Sequence, residues 1–355
     1  MARIIESETP ALWIRLVAFP LCIILAWLTT KFIENPLQFG IFANLKTIGL
    51  FIAMIGVGLA GFLVYKKDGF ISRFSPTKEE TELVSRLNKT MEQSAKECNS
   101  LFPNWEKETA DECRIQKQNT IALIGDSHSG HLFAGLTEFI SQNEGLAVFP
   151  ASCAVPFIDI MTATQEKKYF HIRKNAYKLH KNAYDYIIDS PHIKTVVLAH
   201  SPTCSYYDAI DRQNPREKNS LKVLENGARR TFEILSKANK KILFVLDNPL
   251  LPHDPKYFIS RPFRITDKEK YTSFTISNHK NNEIYREFNN LIISVSKYYP
   301  NVSTIDLSDI LCDNKRCYAI KNNKLLYRDN NHLNYDGSLY VAPYIIEKIR
   351  STQTK

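Results

Sequence analysis

A chain of 355 residues with 44% hydrophobic and 23% charged residues has the composition of a folded protein with a sizeable core, which excludes a disordered or fibrous chain. Lys and Arg number 46 against 37 Asp and Glu, leaving a formal net charge of +9. Such a charge suits nucleic acid, an anionic membrane face or an acidic glycan as neighbour, and by itself does not choose among them.

Two segments near the start settle part of that choice. Residues Leu12 to Thr29, "LWIRLVAFPLCIILAWLT", are apolar apart from Arg15, and Thr47 to Tyr65, "TIGLFIAMIGVGLAGFLVY", carry no charge. Each approaches the roughly 20 residues a helix needs to cross a bilayer, so two membrane spans are predicted, about 12–29 and 47–65, within a membrane segment 1–70. A cleaved signal peptide is the rival for the first, but its apolar core is long, Pro20 lies inside it, and no small-x-small cleavage site follows. Residues 71–97 read as a charged stalk with one amphipathic helical stretch around Glu79 to Lys96, leading to a domain at 98–355.

Seven cysteines bear on the compartment. Cys22 lies in the first span, leaving Cys98, Cys113, Cys153, Cys204, Cys312 and Cys317 in the rest, an even number suited to disulfides outside the cytoplasm. Six reduced thiols in a cytosolic domain are the alternative. Six cysteines allow 15 connectivities; the local pairs Cys98/Cys113 and Cys312/Cys317, leaving Cys153/Cys204, are preferred. Basic residues do not set the orientation, because Lys31 and Lys46 favour one and Lys66, Lys67 and Arg73 the other.

The remaining chain alternates strand and helix patterns. Short apolar runs at Thr120 to Ile124, Leu146 to Phe149, Thr195 to Ala199, Lys241 to Leu246 and Val302 to Asp306 predict strands. Helical patterns fall at His131 to Gln142, Tyr169 to Ser190, Asn219 to Ala238 and Asn282 to Tyr299, and a closing helix at about Asp336 to Arg350. This order predicts an α/β fold, a flavodoxin-like three-layer sandwich around a parallel sheet, with its ligand beyond the carboxyl ends of the strands. The basic, aromatic stretch Lys168 to Tyr186 reads as a helix with a solvated face before it reads as a glycan site.

At that carboxyl edge stands "IALIGDSHSGHL", residues 121–132, in which Gly125 permits a sharp turn and Ser127 lies at a strand-to-helix elbow. A serine hydroxyl needs a base, and the base needs a group that orients it. The C-terminal "YRDNNHLNYDGSLYVAPYIIEKI" supplies both: His332 as base and later acid, Asp329 three residues before it as orienter. The structural alternatives are Ser127 as a helix N-cap, His332 as an interior hydrogen-bonder, and Asp336 as the nearby acid that caps the last helix. His128 and His131 stand three apart, and His200 ends a strand at the same edge, but no ligand-spaced cluster accompanies them and no metal is expected. His128 is expected to line the cleft.

"GDSH" after the first strand and "DNNHLN" before the last helix together resemble the SGNH (GDSL-type) hydrolases, whose first block holds the nucleophilic serine and whose last is Asp-x-x-His. More narrowly, the chain is similar to the SGNH domain at the C-terminus of bacterial acyltransferase-3 membrane proteins, and "LTTKFIENPL" at 28–37 resembles the end of their membrane domain. The resemblance implies O-acetylation of a surface polysaccharide such as O-antigen or peptidoglycan, at the bacterial inner membrane, with the catalytic domain in the periplasm. It implies no directly bound cofactor. Acetyl-CoA is then the ultimate donor through a separate acyltransferase-3 membrane subunit, because the family's acyl-CoA-handling motifs lie upstream of anything present; nucleic acid is not an expected partner. The family usually places a Gly after the second strand and Gly-x-Asn-Asp after the third. Here those places read "FPASCAV" and "LAHSPTC", which leaves the backbone of Ser127 and of the Ala151–Ser152–Cys153 turn as oxyanion donors. Asn248 is a side-chain candidate, set against a turn role beside Pro249. Two other functions compete with transfer to sugar: a membrane-anchored acetylesterase that uses water, and a catalytically silent glycan-binding module.

Overall fold

The computed structural model describes residues 12–38, 43–67, 96–98, 102, 113–116, 119–162, 170–251, 275–277, 283–313, 316–322 and 324–353. Contacts divide the chain into two compact units, a smaller one holding the N-terminal helices and a larger one holding the sheet. In the smaller, α1 (Leu12–Thr29) runs into one π-helical turn, Thr30–Glu34, and a short helical segment, Asn35–Gln38. Helix α2 spans Ala43–Lys66. Spans Arg15–Glu34 and Ile48–Lys66 are long and apolar enough to cross a membrane, and none of either is buried within the protein. Phe19, Ile24, Trp27, Phe51, Met54 and Val57 are all more than half exposed, as side chains meeting lipid are. Cys22, on α1, is free.

The larger unit is built on a seven-stranded sheet: β1 (Lys96–Glu97), β2 (Arg114–Ile115), β3 (Ile121–Gly125), β4 (Leu146–Pro150), β5 (Thr195–Ala199), β6 (Lys241–Leu246) and β7 (Val302–Asp306). Their order is β1-β2-β4-β3-β5-β6-β7. The run β4-β3-β5-β6-β7 is parallel throughout, with register Ile121↔Leu146, Ile121↔Thr195, Thr195↔Lys241 and Val302↔Ile242. This is the flavodoxin-like order 2-1-3-4-5, and the five strands are the five apolar runs read from the sequence. β2 pairs antiparallel with β4, and β1 with β2, extending one edge by two strands too short to leave a periodic signal. Lys96 therefore lies in a strand; the rest of the expected helical stretch from Glu79 lies outside the described residues.

Helices cover both faces. Alternate strand residues Ala122, Ile124, Phe149, Val196, Leu198, Ile242 and Phe244 form one core with α4 (Phe170–Asp189), α5 (Ser220–Lys237) and α6 (Glu283–Ser296). On α4, Ala176, Leu179, His180, Ala183, Tyr184 and Ile187 are buried at helical spacing while Lys181 and Asp185 pair in solvent, the amphipathic arrangement of a core helix. The opposite face carries α3 (Ser127–Phe139) and α7 (Tyr335–Gln353), which pack on each other. They approach closely at Gly135, whose N–H donates to Ser338 Oγ at 2.8 Å and where a Cβ would lie 2.1 Å from the Ser338 carbonyl oxygen. Three disulfides pair Cys98 with Cys113, Cys153 with Cys204 and Cys312 with Cys317.

Candidate active site

Strand β3 ends and α3 begins with one residue between them, and that residue, Asp126, is the helix N-cap: its carboxylate accepts from His128 N–H at 2.8 Å. Ser127 is thus the first helical residue rather than the cap, and it is partly exposed while Asp126 and His128 are buried. The helix begins four residues earlier than its apolar spacing suggests, because the first turn is polar and buried by site contacts rather than by core. Gly125 is needed for a different reason from the turn expected of it. A Cβ there would lie 1.8 Å from the Ala199 carbonyl oxygen, so β3 and β5 approach too closely for any side chain.

Asp126 is held from β5. Its other carboxylate oxygen accepts from Ser201 N–H at 3.0 Å and lies 2.9 Å from His200 Nδ1, while His200 Nε2 is 2.7 Å from Ser205 Oγ. Burial opposes a charge on Asp126, but the His200 and His128 rings and the Ser201 N–H outweigh it and lower the carboxyl below its usual range.

His332 comes from the loop before α7. Its Nε2 lies 2.7 Å from Ser127 Oγ and its Nδ1 2.8 Å from Asp329 Oδ2. Asp329 Oδ1 also accepts the N–H groups of Asn331 (3.0 Å) and His332 (2.7 Å), so the three-residue spacing closes an Asx-type turn that points carboxylate and ring together. Burial raises the Asp329 pKa, and the His332 ring and these N–H donors overcome it, leaving the group strongly acidic. The His332 and Asp329 side chains are 18% and 31% exposed, open to a substrate from solvent.

Four bonds fix this loop. Arg328 N–H donates to His332 O (2.9 Å), Leu251 N–H to Asn330 O (2.7 Å), Asn248 Nδ2 to Asn331 O (2.8 Å) and Leu333 N–H to His131 Nδ1 (3.3 Å). Asn248 is therefore not an oxyanion donor: it is fully buried and its amide is committed to the backbone of the loop that carries His332. The last helix is capped by Asn334, whose Oδ1 accepts from Gly337 N–H at 2.9 Å; Asp336 sits inside the first turn, 3.5 Å from Lys324 Nζ.

The turn after β4 runs beside this edge. Ala151 N–H is spent on Gly125 O (2.9 Å), and Ala154 N–H closes the turn onto Ala151 O (2.9 Å). Among the described residues the N–H groups of Ser127, Ser152 and Cys153 make no hydrogen bond, so three of the four expected backbone donors remain open. Cys153 has φ 51, left-handed backbone that costs a non-glycine residue about 1–2 kcal/mol. Its disulfide to Cys204 ties this turn to the one after β5, so the segments flanking β3 on either side are joined covalently.

His128 does not line the cleft. It is 2% exposed, its Nδ1 lies 2.6 Å from Asp247 Oδ1, and its ring centroid is 4.7 Å from that of His332. Asp247 was missed by sequence reasoning although a signal exists: it ends β6 at the same carboxyl edge where Asp126 ends β3. Among the described residues no group of three or more His, Cys, Asp or Glu is placed to hold a metal ion.

A 2-1-3-4-5 parallel sheet with Ser127 after its first strand and Asp329 and His332 before its last helix defines an SGNH-type α/β domain. The family model of the SGNH domain fused to AT3 domains matches residues 97–347, and the chain belongs to that family. No curated protein matches the chain. Among solved structures it is similar to the acetyl xylan esterase AlAXEase, with 16% identity, a TM-score of 0.40, and coverage of 64% of this chain and 99% of that one.

Proposed function

We propose that this protein carries an acetyl group on Ser127 and passes it to a hydroxyl of a bacterial surface polysaccharide, O-antigen or a similar glycan. The observation that carries this reading is the 2.7 Å approach of His332 Nε2 to Ser127 Oγ, with Asp329 on the other ring nitrogen at 2.8 Å. In the first half-reaction His332 takes the Ser127 proton as Oγ attacks the acetyl carbonyl, and returns it to the departing donor group. The N–H of Ser127, at the positive end of α3, and those of Ser152 and Cys153 supply hydrogen bonds for the oxyanion. In the second half a sugar hydroxyl gives its proton to His332 and attacks the acetyl-serine; the proton returns to Ser127 Oγ as the ester breaks.

Membership of a family whose SGNH domain is fused to AT3 domains supports an acetyl-modifying role on carbohydrate. Two apolar N-terminal helices anchor the protein in the inner membrane, and three disulfides support a periplasmic domain. Acetyl-CoA is the ultimate donor, and a separate acyltransferase-3 membrane subunit brings the acetyl group across to Ser127. The exposure of His332 and Asp329 favours a second reading, in which water replaces the sugar and the protein is an acetylesterase.

The test incubates the full chain in detergent with an activated acetyl ester, with and without oligosaccharides, and follows acetyl on Ser127 and on sugar by mass spectrometry. Acetyl-sugar supports the transferase. Acetate alone, with a transient acetyl-Ser127, moves the reading to the esterase. No acetyl-Ser127 and no turnover, identical to Ser127→Ala, overturns both and leaves a binding module.

A further inference from the structure

Beneath the Ser127–His332–Asp329 chain lies a second imidazole–carboxylate pair that the proposed reaction does not use. His128 Nδ1 and Asp247 Oδ1 are 2.6 Å apart, with side chains 3% and 2% exposed. Asp247 is itself fixed: Oδ1 accepts Asn248 N–H at 2.9 Å and Oδ2 accepts the Tyr285 hydroxyl at 3.2 Å. The His128 ring lies 4.7 Å from the His332 ring at 41°, and 4.9 Å from the His131 ring. Its Nε2 is buried and finds no hydrogen-bond partner among the described residues. Of three Asp–His pairs among the described residues, Asp329–His332 is open to substrate while Asp247–His128 and Asp126–His200 are sealed, and it is His128 whose ring lies against that of His332.

The carboxylates around His128 favour a protonated ring. Asp126 and Asp247, at the ends of β3 and β6, and Asp329, in the His332 loop, face His128; His131 on α3 and His332 and Arg328 in the loop are the basic groups nearby. Burial pulls the His128 ring toward neutrality and is outweighed by Asp247, with Asp126 and Asp329 adding to it, so its pKa is pushed up to about 9. His131 goes the other way: burial first, then His128, His332 and Arg328, hold it well below the usual histidine range. Neutral His131 keeps Nδ1 as the acceptor for Leu333 N–H.

We propose that His128, held by Asp247 and Tyr285, is a positioning residue that sets a fixed cation against the face of His332, orienting that ring toward Ser127 and opposing a resting proton on the base. The inference rests on the triad reading of Ser127, His332 and Asp329. A proton on His332 would set a second cation across the 4.7 Å between the two rings, and their repulsion disfavours a resting proton on the base. Asp247 offsets part of the His128 charge, which brings the expected displacement of the acid limb to about one pH unit.

The experiment measures the rate at which a fluorophosphonate phosphonylates Ser127 in the detergent-solubilised full chain, as a function of pH, by intact mass. His128→Gln removes ring and charge; Asp247→Asn keeps the ring and discharges it. Asp247→Asn, which removes both charges, is expected to move the acid limb up by about one pH unit, and His128→Gln, which leaves the Asp247 charge unopposed, by more. A merely structural role lowers the plateau and leaves the limb in place, and that result overturns the proposal while the triad reading stands. A wild-type chain as inert as Ser127→Ala overturns the triad reading and this one with it. Should either variant fail to fold, the histidine Cε1–H resonances of the wild-type chain decide: His128 still an imidazolium at about pH 7 supports the proposal, and a neutral His128 there sinks it.

Discussion

His332 Nε2 and Ser127 Oγ lie 2.7 Å apart across 205 residues of sequence. What closes that distance is the crossing of α3 and α7 at Gly135 and Ser338, one helix starting at Ser127 and the other starting three residues after His332. Gly135→Ala would put a Cβ 2.1 Å from the Ser338 carbonyl oxygen. The helices must then part, with an expected loss of about 3 kcal/mol in urea unfolding and slower labelling of Ser127.

Within the triad, Ser127→Ala and His332→Ala are expected to abolish acetyl-Ser127 in the mass spectrum. Asp329→Asn keeps the turn but removes the carboxylate that holds the ring tautomer, and should lower turnover by about 10⁴-fold, the size known for the equivalent change in a serine protease. The double variant Asp329→Asn/His332→Ala should be no slower than His332→Ala alone, because the residues act as a unit.

Asn248→Ala separates two roles. An oxyanion donor would cost about 100- to 1000-fold in rate at unchanged stability. A clamp on Asn331 O instead leaves a buried carbonyl unpaired, so the expected result is a loss of about 1–3 kcal/mol in the unfolding free energy, with the rate falling as the His332 loop loosens.

The disulfides should contribute in order of the loop each closes. Sequence separations of 51, 15 and 5 for Cys153–Cys204, Cys98–Cys113 and Cys312–Cys317 predict losses of about 4, 3 and 2 kcal/mol on replacing each pair by serine. Only the first is also expected to slow acetylation, since it holds Ser152 and Cys153 beside Ser127; thermal unfolding and Ser127 labelling measured together check both.

Stability should fall on the alkaline side of neutrality. His128 is raised from 6.5 to about 9 in the folded chain, so its contribution is complete below about 6.5 and is lost as pH rises through about 9. His131, held neutral, acts in the opposite sense and penalises the fold only as pH drops below 6.5, where the unfolded ring takes a proton. The urea midpoint is therefore expected to decline across the window from about 6.5 to 9 in the wild type, and to stay flat there in His128→Gln.

Much of this was written in the linear chain. The strands Thr195–Ala199 and Lys241–Leu246 coincide with their apolar runs, because a parallel strand buried on both faces is apolar nearly throughout. Val302–Asp306 has the expected bounds too, although it is a half-buried edge strand. Ser127, Asp329 and His332 were legible for a related reason: an Asx turn and a strand–helix elbow are local structures, fixed by residues within three positions of one another.

The tertiary structure alone decided the rest. Asp247 meets His128 across 119 residues, and Asn248 meets Asn331 across 83, so neither role leaves a periodic or short-range trace. The strands Lys96–Glu97 and Arg114–Ile115 are too short to show alternation and exist because β4 offers an edge to the second and Cys98–Cys113 staples the two to each other. Gly125 and Gly135 are glycines because another chain segment passes within 3 Å of where a Cβ would stand. Local geometry is dictated by neighbours in sequence, and the sequence determined it; which buried polar group meets which is dictated by packing, where each must find a partner or raise the cost of folding.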